Sequence, residues 1–385
     1  MTTPILGGNQ LTLLRSGTEY FPALIAAIDG AGQEIYVETY IFQDDETGRR
    51  VAAALSRAAR RGVAVHLLVD GFGSKDMAEG LSAGMVEAGV RMLVFRKRIS
   101  PWTLKKNRLR RMHRKIVAVD ARVAFVGGIN VIDDMHTPGQ LPPRYDYAIR
   151  IEGPLVGPVR DAAARLVRWI AWANLKQRWR PRPDVHSDSV PRGAQSAALV
   201  IRDNVRHRSD IEDAYLDAIQ SARSEVIIAN AYFFPGMRFR RALTAAAKRG
   251  VSVTLLLQGR VEYLLLHYAS RALYGSLLES GVEIYEYHKS FLHAKVAVID
   301  GHWSTVGSSN IDPFSLLLAR EANIVVDDRK FAAELRMSLH EAMEGGAIAV
   351  RSQWMRLPFW RRLPIWAGYG LVRMLMGVFG YGGRQ

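Results

Sequence analysis

An internal repeat constrains the fold of this chain more than any other sequence feature. Residues 111–120 read RMHRKIVAVD, and residues 291–300 read FLHAKVAVID. A histidine, a lysine and an aspartate recur at identical spacing in the two copies: His113, Lys115 and Asp120, then His293, Lys295 and Asp300. Because the histidine and the lysine are two positions apart, their side chains would point to the same face of a strand. Each copy therefore predicts a β-strand that carries a histidine and a lysine on one side.

The repeat extends on both sides of this motif. Each copy is followed by a glycine turn and an asparagine at the same distance: Gly127, Gly128 and Asn130, then Gly307, Ser308 and Asn310. Upstream, three pairs of segments resemble each other: 31–42 with 222–234, 60–71 with 248–259, and 87–95 with 279–287. Stretches such as 48–62 have apolar residues three and four apart and end at glycine, which is typical of helices. The alternation predicts an α/β fold with two tandem domains, each a mixed sheet flanked by helices, related by pseudo-two-fold symmetry.

The repeat and the local composition divide the chain into four segments. We predict the first α/β domain over residues 1–164 and the second over residues 201–345. Between them, residues 165–200 change from an Arg/Trp-rich helix to a Pro-rich polar connection, which predicts a linker. Residues 346–385 form a basic aromatic tail in which the repeat pattern is lost.

The charge of the chain indicates what kind of partner it binds. The 385 residues are 49% hydrophobic and carry a formal net charge of +15, which predicts a polyanion, either nucleic acid or the anionic face of a membrane. The absence of cysteine excludes a disulfide framework and any cysteine-based nucleophile or metal site. We recognise no signal peptide. The sequence contains no run of about twenty apolar residues, so it predicts no membrane span. We therefore expect a cytoplasmic protein, either free or attached to a surface.

Two histidine–lysine pairs that meet at a shared seam suit chemistry on a phosphodiester. Its anionic oxygens need positioned cations, which Lys115 and Lys295 could supply without a metal. The amides of Asn130 and Asn310 could complete this cradle; the alternative is that both are turn residues that tolerate left-handed backbone. One neutral imidazole can attack phosphorus, while the other, protonated, gives its proton to the leaving alkoxide. Histidine suits both roles because its pKa of roughly 6.5 lets both forms exist near neutral pH.

Each imidazole also needs a carboxylate that orients it. Asp146 in RYDYAIRIEGP and Glu321 in LAREANIVV lie downstream of the two glycine turns at similar places in the repeats. We take them as the candidate orienting residues. The alternative is that both are exposed acids at the ends of strands.

The two copies together resemble the paired signature of the phospholipase D superfamily. This signature is His-x-Lys-x4-Asp with Gly-(Gly/Ser)-x-x-Asn downstream, and the resemblance covers nearly the whole chain through residue 330. It implies a metal-independent double displacement through a covalent phosphohistidine, without a cofactor. It also implies that Asp146 and Glu321 each orient the histidine of the opposite half. Asp120 and Asp300 enter the candidate catalytic set as members of the motif, although the resemblance implies that they fix the loop after the strand.

Within the superfamily, several segments look like those of bacterial cardiolipin synthases of the B type. RRMHRKIVAVDARVAFVGGIN, VIIANAYFFPGMRF and HWSTVGSSNIDPFSL carry this similarity. It implies transfer of a phosphatidyl group between two phosphatidylglycerol molecules, giving cardiolipin and glycerol, with phosphatidylethanolamine as another candidate substrate. By family habit, His113 is the nucleophile and His293 the proton donor. Because the N-terminal membrane helices of better-known cardiolipin synthases are not seen here, the resemblance implies peripheral attachment to the cytoplasmic face of the bacterial cell membrane.

Three other functions remain open from the sequence. A phospholipase D-type hydrolase would use water as the acceptor, a nuclease of the same superfamily would bind nucleic acid through the basic charge, and a non-catalytic protein would only bind membranes. The Trp-rich tail makes nucleic acid an unexpected partner, and two intact motifs argue against a non-catalytic protein. The sequence indicates no oligomeric state.

Three segments suggest where an anionic membrane could bind. Residues 96–115 are dense in cations, each of which contributes about 1 kcal/mol at such a surface. Residues 354–383 mix tryptophan, arginine and aliphatic residues around two prolines, which favours an interfacial anchor over a helix that closes the core. The Arg/Trp-rich helix at 165–180 fits a core position and a membrane surface equally well.

Overall fold

The structure of the chain is a computed structural model. The structure describes residues 4–77, 79–96, 110–135, 137, 141–174, 189–260, 264–312, 315, 318–350, 366–371 and 374. Most of the basic segment 96–115 and of the tail 354–383 lies outside the described residues.

The first half of the chain alternates strands with helices, as the repeat predicts. Its strands are β1 (Leu6–Arg15), β2 (Glu34–Thr39), β3 (Ala64–Asp70), β4 (Arg91–Phe95), β5 (Ile116–Val119), β6 (Val123–Gly127) and β7 (Tyr147–Glu152). Its helices are α1 (Ser16–Asp29), α2 (Glu46–Arg60), α3 (Glu79–Glu87) and α4 (Val156–Ala173).

The second half repeats this order. Its strands are β8 (Gln195–Arg202), β9 (Glu225–Asn230), β10 (Ser252–Gln258), β11 (Glu283–Tyr287), β12 (Lys295–Ile299), β13 (Trp303–Gly307), β14 (Glu321–Asp327) and β15 (Ala347–Ala349). Its helices are α5 (Asp210–Ser221), α6 (Met237–Lys248), α7 (Leu264–Arg271), α8 (Tyr274–Glu279) and α9 (Arg329–Gly346).

Local signals in the sequence account for the ends of these elements. Helix α2 begins after Asp45, whose carboxylate accepts a hydrogen bond from the backbone N–H of Gly48 at 2.8 Å. The chain leaves α2 through Gly62, which has a φ of +89° that few other residues adopt. Strands β2 and β3 are buried along their whole length, as expected for parallel strands covered by helices on both faces.

Within the described residues, all fifteen strands join one sheet, in the order β15-β11-β10-β9-β12-β13-β14-β8-β1-β7-β6-β5-β2-β3-β4. The order read outward from β1 matches the order read outward from β8, so the two halves are related by pseudo-two-fold symmetry. Parallel pairs β2–β3 and β9–β10 lie beside antiparallel strands in each half. The predicted fold class, two tandem α/β domains with mixed sheets flanked by helices, is confirmed.

The two halves also share a hydrophobic core. One buried cluster includes Val126 and Ile149 of the first half together with Val306 and Ile324 of the second. Strands β6 and β7 contact strands β13 and β14 in this cluster. The halves are therefore packed against each other, which brings the ends of their strands together.

Helix α4 lies across the boundary that was predicted between the first domain and the linker. It is one continuous helix over Val156–Ala173, and its inner face, which includes Val167 and Ile170, is buried. Strand β8 begins at Gln195, within the predicted linker. The domain limits at residues 164, 200 and 345 stay predictions.

Two short parts of the basic aromatic tail that lie within the described residues are a strand and a helical turn. Strand β15 extends the sheet by antiparallel pairing with β11, and residues 366–371 are helical, with the ring of Tyr369 at 5.9 Å from that of Phe234. In the portion of the chain that the structure describes, no helix combines the length and apolar character that crossing a membrane requires.

Candidate active site

The two histidines of the repeat lie in short segments that hydrogen-bond to the opposite half of the molecule. Lys115 immediately precedes β5, and Lys295 is the first residue of β12, so each histidine lies just before its strand. The backbone N–H of His113 donates to the carbonyl of Arg320 at 3.0 Å, and that of His293 donates to the carbonyl of Tyr145 at 2.8 Å. Each histidine is therefore hydrogen-bonded to the residue that immediately precedes the candidate carboxylate of the other half.

Both imidazoles contact a carboxylate of the opposite half. Nδ1 of His113 lies 3.0 Å from Oε1 and 3.1 Å from Oε2 of Glu321, and Nδ1 of His293 lies 2.6 Å from Oδ2 of Asp146. Both carboxylates are buried, so water does not compete for these hydrogen bonds. A carboxylate accepts a hydrogen bond from a protonated Nδ1. In a neutral imidazole the lone pair is then on Nε2. The contacts implied by the family resemblance are present in the structure.

The two lysines are buried beside the imidazoles. Nζ of Lys115 donates to the carbonyl of His113 at 2.8 Å, and Nζ of Lys295 donates to the carbonyl of His293. Lys295 also lies 3.6 Å from Oδ2 of Asp146. Burial lowers the pKa of Lys115 to about 7, since removing an ammonium from water disfavours its charged form. An anionic ligand would favour the charged form of this lysine.

Burial also lowers the pKa of both imidazoles. It lowers that of His293 to about 3, and the nearby Lys295 adds to the effect. The pKa of His113 is lowered by burial and by Lys115, although Glu321 opposes the shift. Burial alone would raise the pKa of Asp146, but Lys295 and His293 outweigh it, so that pKa lies below its ordinary value. Both imidazoles are therefore neutral at pH 7 in the free protein, the form required of a nucleophile.

The electrostatic interactions show that the two halves form one cluster. The charge of Lys295 acts on the imidazole of His113, and the charge of Lys115 acts on that of His293. The charge of Lys295 also lowers the pKa of Lys115. A single phosphate placed among them would be reached by cations from both halves. Within the described part of the chain, no group of three or more histidine and acidic side chains is arranged to hold a metal ion.

The two asparagines are buried in the turns that follow β6 and β13. Oδ1 of Asn130 accepts a hydrogen bond from the backbone N–H of Ile41 at 3.2 Å. Oδ1 of Asn310 is buried and has no hydrogen-bond partner among the described residues. A role in holding phosphate oxygens stays a prediction for both residues.

The structure separates the two aspartates of the motif from the imidazoles. Asp120 lies at the far end of β5, and its carboxylate accepts from the backbone N–H groups of residues 32–34 at 2.7–2.8 Å. Asp300 lies at the far end of β12 and binds the backbone N–H groups of residues 223–225 at 2.8–3.0 Å. These carboxylates hold the loops that lead into β2 and β9. These contacts support the loop-fixing role that the resemblance implies, and a catalytic role for either aspartate stays a prediction.

Sequence reasoning missed Ser308 as a member of the site. Its hydroxyl donates to Oε2 of Glu321 at 2.5 Å and accepts from the N–H of Ala322 at 3.0 Å. In the first half the same position is Gly128, where an added Cβ would lie 2.3 Å from Oδ1 of Asp146. The sequence signal that could have identified Ser308 is the difference between the two turns, which read GGIN at 127–130 and GSSN at 307–310.

Two further residues that the sequence did not single out lie next to His113, one in space and one in the chain. The ring of Tyr40 lies 4.8 Å from the imidazole, and its centroid is 5.6 Å from Nζ of Lys115. Arg114, between the two motif residues, forms a buried ion pair with Glu38 at 2.7 Å. Glu38 therefore neutralises the charge of Arg114.

Sequence comparisons identify a protein family and related proteins. The family described as "Cardiolipin synthase, PLD-like domain" matches residues 24–138 and 215–343. Cardiolipin synthase B of Salmonella typhi is 43% identical over 332 residues, which cover 86% of this chain and 80% of that protein. Cardiolipin synthase B of Escherichia coli (strain K12) is 42% identical over 333 residues, with the same coverage of 86% and 80%.

A solved structure shares the fold over the whole length. Phosphatidylserine synthase of Haemophilus influenzae Rd KW20 matches with a TM-score of 0.72 at 13% identity, covering 98% of this chain and 96% of that one. At this identity the match shows the fold alone. The two matched segments each contain one histidine–lysine motif, and the sequence identity extends over most of the chain. The chain therefore belongs to the phospholipase D superfamily, within its cardiolipin synthase family.

Proposed function

We propose that this enzyme transfers a phosphatidyl group from one phosphatidylglycerol to the hydroxyl of a second, giving cardiolipin and glycerol. The observation that carries the proposal is the pairing of each buried imidazole with a carboxylate of the other half, in one cluster with two buried lysines. Relatives at 43% identity that are named cardiolipin synthase B support the choice of lipid.

In the first step, Nε2 of His113 attacks phosphorus and forms a P–N bond. The bond between phosphorus and the glycerol oxygen breaks, and this oxygen leaves with a proton from His293. Lys115 and Lys295 neutralise the charge that develops on the phosphate oxygens. The substrate supplies a negative charge among these side chains, which raises the tendency of His293 to hold the proton that it must donate.

In the second step, neutral His293 removes the proton from the acceptor hydroxyl. The acceptor oxygen attacks phosphorus, and the P–N bond to His113 breaks. Glu321 keeps Nδ1 of His113 protonated throughout, so that Nε2 is the atom that forms and breaks the bond. The assignment of His113 as nucleophile follows family habit, since the two half-sites offer equivalent atoms.

Product analysis with purified protein tests the reaction. Incubation with phosphatidylglycerol vesicles should yield cardiolipin and glycerol, and adding phosphatidylethanolamine would test it as a second substrate. Phosphatidic acid as the sole product would make the protein a hydrolase, and cleavage of plasmid DNA with unreacted lipid would make it a nuclease. Chelators should leave the rate unchanged if no metal takes part.

The covalent intermediate needs a separate experiment. Because His293 is proposed to activate the acceptor hydroxyl, a His293→Gln variant should accumulate a phosphatidyl adduct on His113 when it is given a donor with a good leaving group. Peptide mass spectrometry under alkaline conditions, which preserve phosphohistidine, would locate it. An adduct on no residue, in a variant that still releases the leaving group, would exclude the double displacement.

We further propose an anionic phospholipid membrane as the partner surface, at the cytoplasmic face and without a membrane span. The net charge of +15 supports this attraction. Nucleic acid is not proposed as a partner. Sedimentation of the protein with vesicles of increasing phosphatidylglycerol content, at two salt concentrations, tests the attachment.

A further inference from the structure

Large apolar side chains are exposed on or near segments that contact the ones carrying the imidazole cluster. They are Phe72, Trp169, Trp172 and Val205, with exposed fractions of 51%, 47%, 68% and 69%. We call these four residues the mouth surface. Side chains of this size are usually buried in a soluble domain, and a group of them in one place marks an interaction site.

Helix α4 presents the two tryptophans. They are one turn apart on the outward face of its last turns, whereas Val167, Ile170 and Ala171 point into the core. The structure thus resolves the sequence ambiguity for this part of the Arg/Trp-rich helix. One face packs in the core, and the other presents tryptophan outward.

Contacts place these side chains beside the catalytic segments. The guanidinium of Arg320 lies 5.2 Å from the ring centroid of Trp169, and Arg320 is the residue before Glu321. The guanidinium of Arg111 lies 5.0 Å from the ring centroid of Phe72, and Arg111 is two residues before His113. The N–H of Arg320 donates to the carbonyl of Arg111 at 2.8 Å, which joins the two pairs.

Val205 belongs to the same region through the loop after β8. Asn204 donates to the carbonyl of Leu318 at 3.3 Å, two residues before Arg320. The acid of this loop, Asp203, has its carboxylate bound to the backbone N–H groups of residues 205–207 at 2.7–3.1 Å. Asp203 is thus held within its own loop, and the guanidinium groups of Arg111 and Arg320 lie beside the apolar side chains.

We propose that the mouth surface docks on the face of a bilayer that contains anionic phospholipid, so that a headgroup reaches the imidazoles while its acyl chains stay in the membrane. Tryptophan and arginine side by side suit this partner, because an indole sits at headgroup depth and a guanidinium binds phosphate. The location of these residues next to His113 and Glu321 favours the bilayer over a protein partner. The inference rests on the proposed lipid substrate and adds the surface through which that lipid is reached.

A double variant tests the surface. Trp169→Ser with Trp172→Ser should weaken binding to phosphatidylglycerol vesicles by about a hundredfold, or about tenfold (about 1.4 kcal/mol) for each tryptophan. Turnover of a short-chain phosphatidylglycerol, used below its critical micelle concentration, should change less than twofold. Met337→Ser is the matched control, because Met337 is 54% exposed on the outward side of α9 and belongs to no part of the mouth surface. It should bind vesicles as the parent protein does.

Vesicle binding of the double variant equal to that of the parent protein would overturn the proposal. A second variant, Val205→Glu, guards against misfolding of α4, because it lies on a loop and adds a negative charge where an anionic bilayer should approach. It should also weaken vesicle binding, and normal binding by this folded variant would count against the surface. Vesicles of phosphatidylcholine alone, which carry no net charge, test whether binding depends on anionic lipid. Equal binding of the parent protein to these vesicles and to phosphatidylglycerol vesicles would contradict the role of the arginines.

The same assays separate this inference from the proposed reaction. Vesicle binding is measured without turnover, so binding that depends on the tryptophans, in a protein that forms no cardiolipin, would preserve the docking surface and remove the reaction. Cardiolipin formation at full rate by the double variant on vesicles would preserve the reaction and remove the surface.

Discussion

Replacing Asp146 with asparagine should impair both stability and turnover. Its carboxylate accepts from Nδ1 of His293 at 2.6 Å and from the N–H of Tyr147 at 2.8 Å, and it lies 3.6 Å from Nζ of Lys295. The side chain of Lys295 is fully buried. The variant would remove a carboxylate that pairs with that ammonium, and breaking a buried pair costs about 3 kcal/mol. The carbonyl of His293 still accepts from Lys295, which places the loss at the lower end of the usual range.

The effect on turnover has a different cause. An asparagine amide can donate to Nδ1 of His293, which would move the imidazole proton to Nε2 and remove the lone pair that must accept a proton from the attacking hydroxyl. Loss of the orienting carboxylate in another histidine-based enzyme lowers kcat about 10⁴-fold. We expect a fall of about 10³ to 10⁴ in kcat.

Urea unfolding and kinetics on a short-chain lipid measure the two effects. Glu152→Gln is the control, because Glu152 ends strand β7, which begins directly after Asp146. It pairs with Arg150 at the surface, so its loss should cost less than about 0.5 kcal/mol. The folded-state pKa of Asp146 is depressed, so its stabilisation is present above about pH 4 and is lost as the pH falls through that pKa. The stability difference should therefore shrink below about pH 4. A variant with unchanged unfolding and kcat within tenfold of the parent would refute this account of the ion pair and the tautomer.

Three other predictions follow from the same cluster. Because burial lowers the pKa of Lys115 to about 7 from 10.5, the unfolded chain binds more protons between those pH values, and stability should rise with pH there by up to about 1.4 kcal/mol per unit. Lys115→Met should flatten this rise in urea titrations at pH 7 and 9 and should abolish turnover; a rise as steep as that of the parent would exclude Lys115 as its source. Ser308→Ala removes a hydrogen bond to the Glu321 carboxylate, worth about 1.5 kcal/mol for a charged acceptor, so kcat should fall about tenfold with little change in KM, and an unchanged kcat would show that Glu321 needs no such support. His113→Ala and His293→Ala should each abolish cardiolipin formation, and activity in both would end the shared-site scheme.

The fold could be predicted from the sequence because its strongest signal is repeated. Either copy of the histidine–lysine pattern could be an ordinary strand, but two copies with matching glycine turns predict two equivalent strands and, with the flanking segments, two equivalent domains. The joining of both sheets through β1 and β8 could not be predicted in this way. Neither strand carries a motif of its own, and their pairing depends on how the halves pack.

The candidate site was predictable to the extent that its residues recur. Asp146 and Glu321 were found because they occupy similar places in the two halves, and the structure brings each to the opposite imidazole. Ser308 was overlooked because its counterpart is Gly128, so the repeat hides it. Asp120 and Asp300 show the opposite case, since recurrence alone does not tell a residue that fixes a loop from one that contacts the substrate.

The two half-sites differ in a way that couples the carboxylate to the turn beside it. The N–H of Gly128 donates to the carbonyl of Tyr147 at 2.9 Å, and the N–H of Ser308 donates to the carbonyl of Ala322 at 3.0 Å. These acceptors directly follow Asp146 and Glu321, so each turn residue lies against the carboxylate residue of its half. In the first half the shorter Asp146 is combined with glycine, and in the second the longer Glu321 is combined with serine.

Replacing only the turn residue of the first half by its counterpart from the second half should impair turnover. Replacing the turn residue and the carboxylate residue together should restore it. In Gly128→Ser, a Cβ would stand 2.3 Å from Oδ1 of Asp146, so the carboxylate must leave its contact with His293, and turnover should fall at least about a hundredfold, as expected when an orienting carboxylate is displaced. Adding Asp146→Glu to this variant reproduces the arrangement of the second half and should recover turnover to within about tenfold. A single variant with full activity, or a double variant no better than the single, would show that the carboxylate and the turn act independently, and that the two imidazoles are held by something other than these matched pairs.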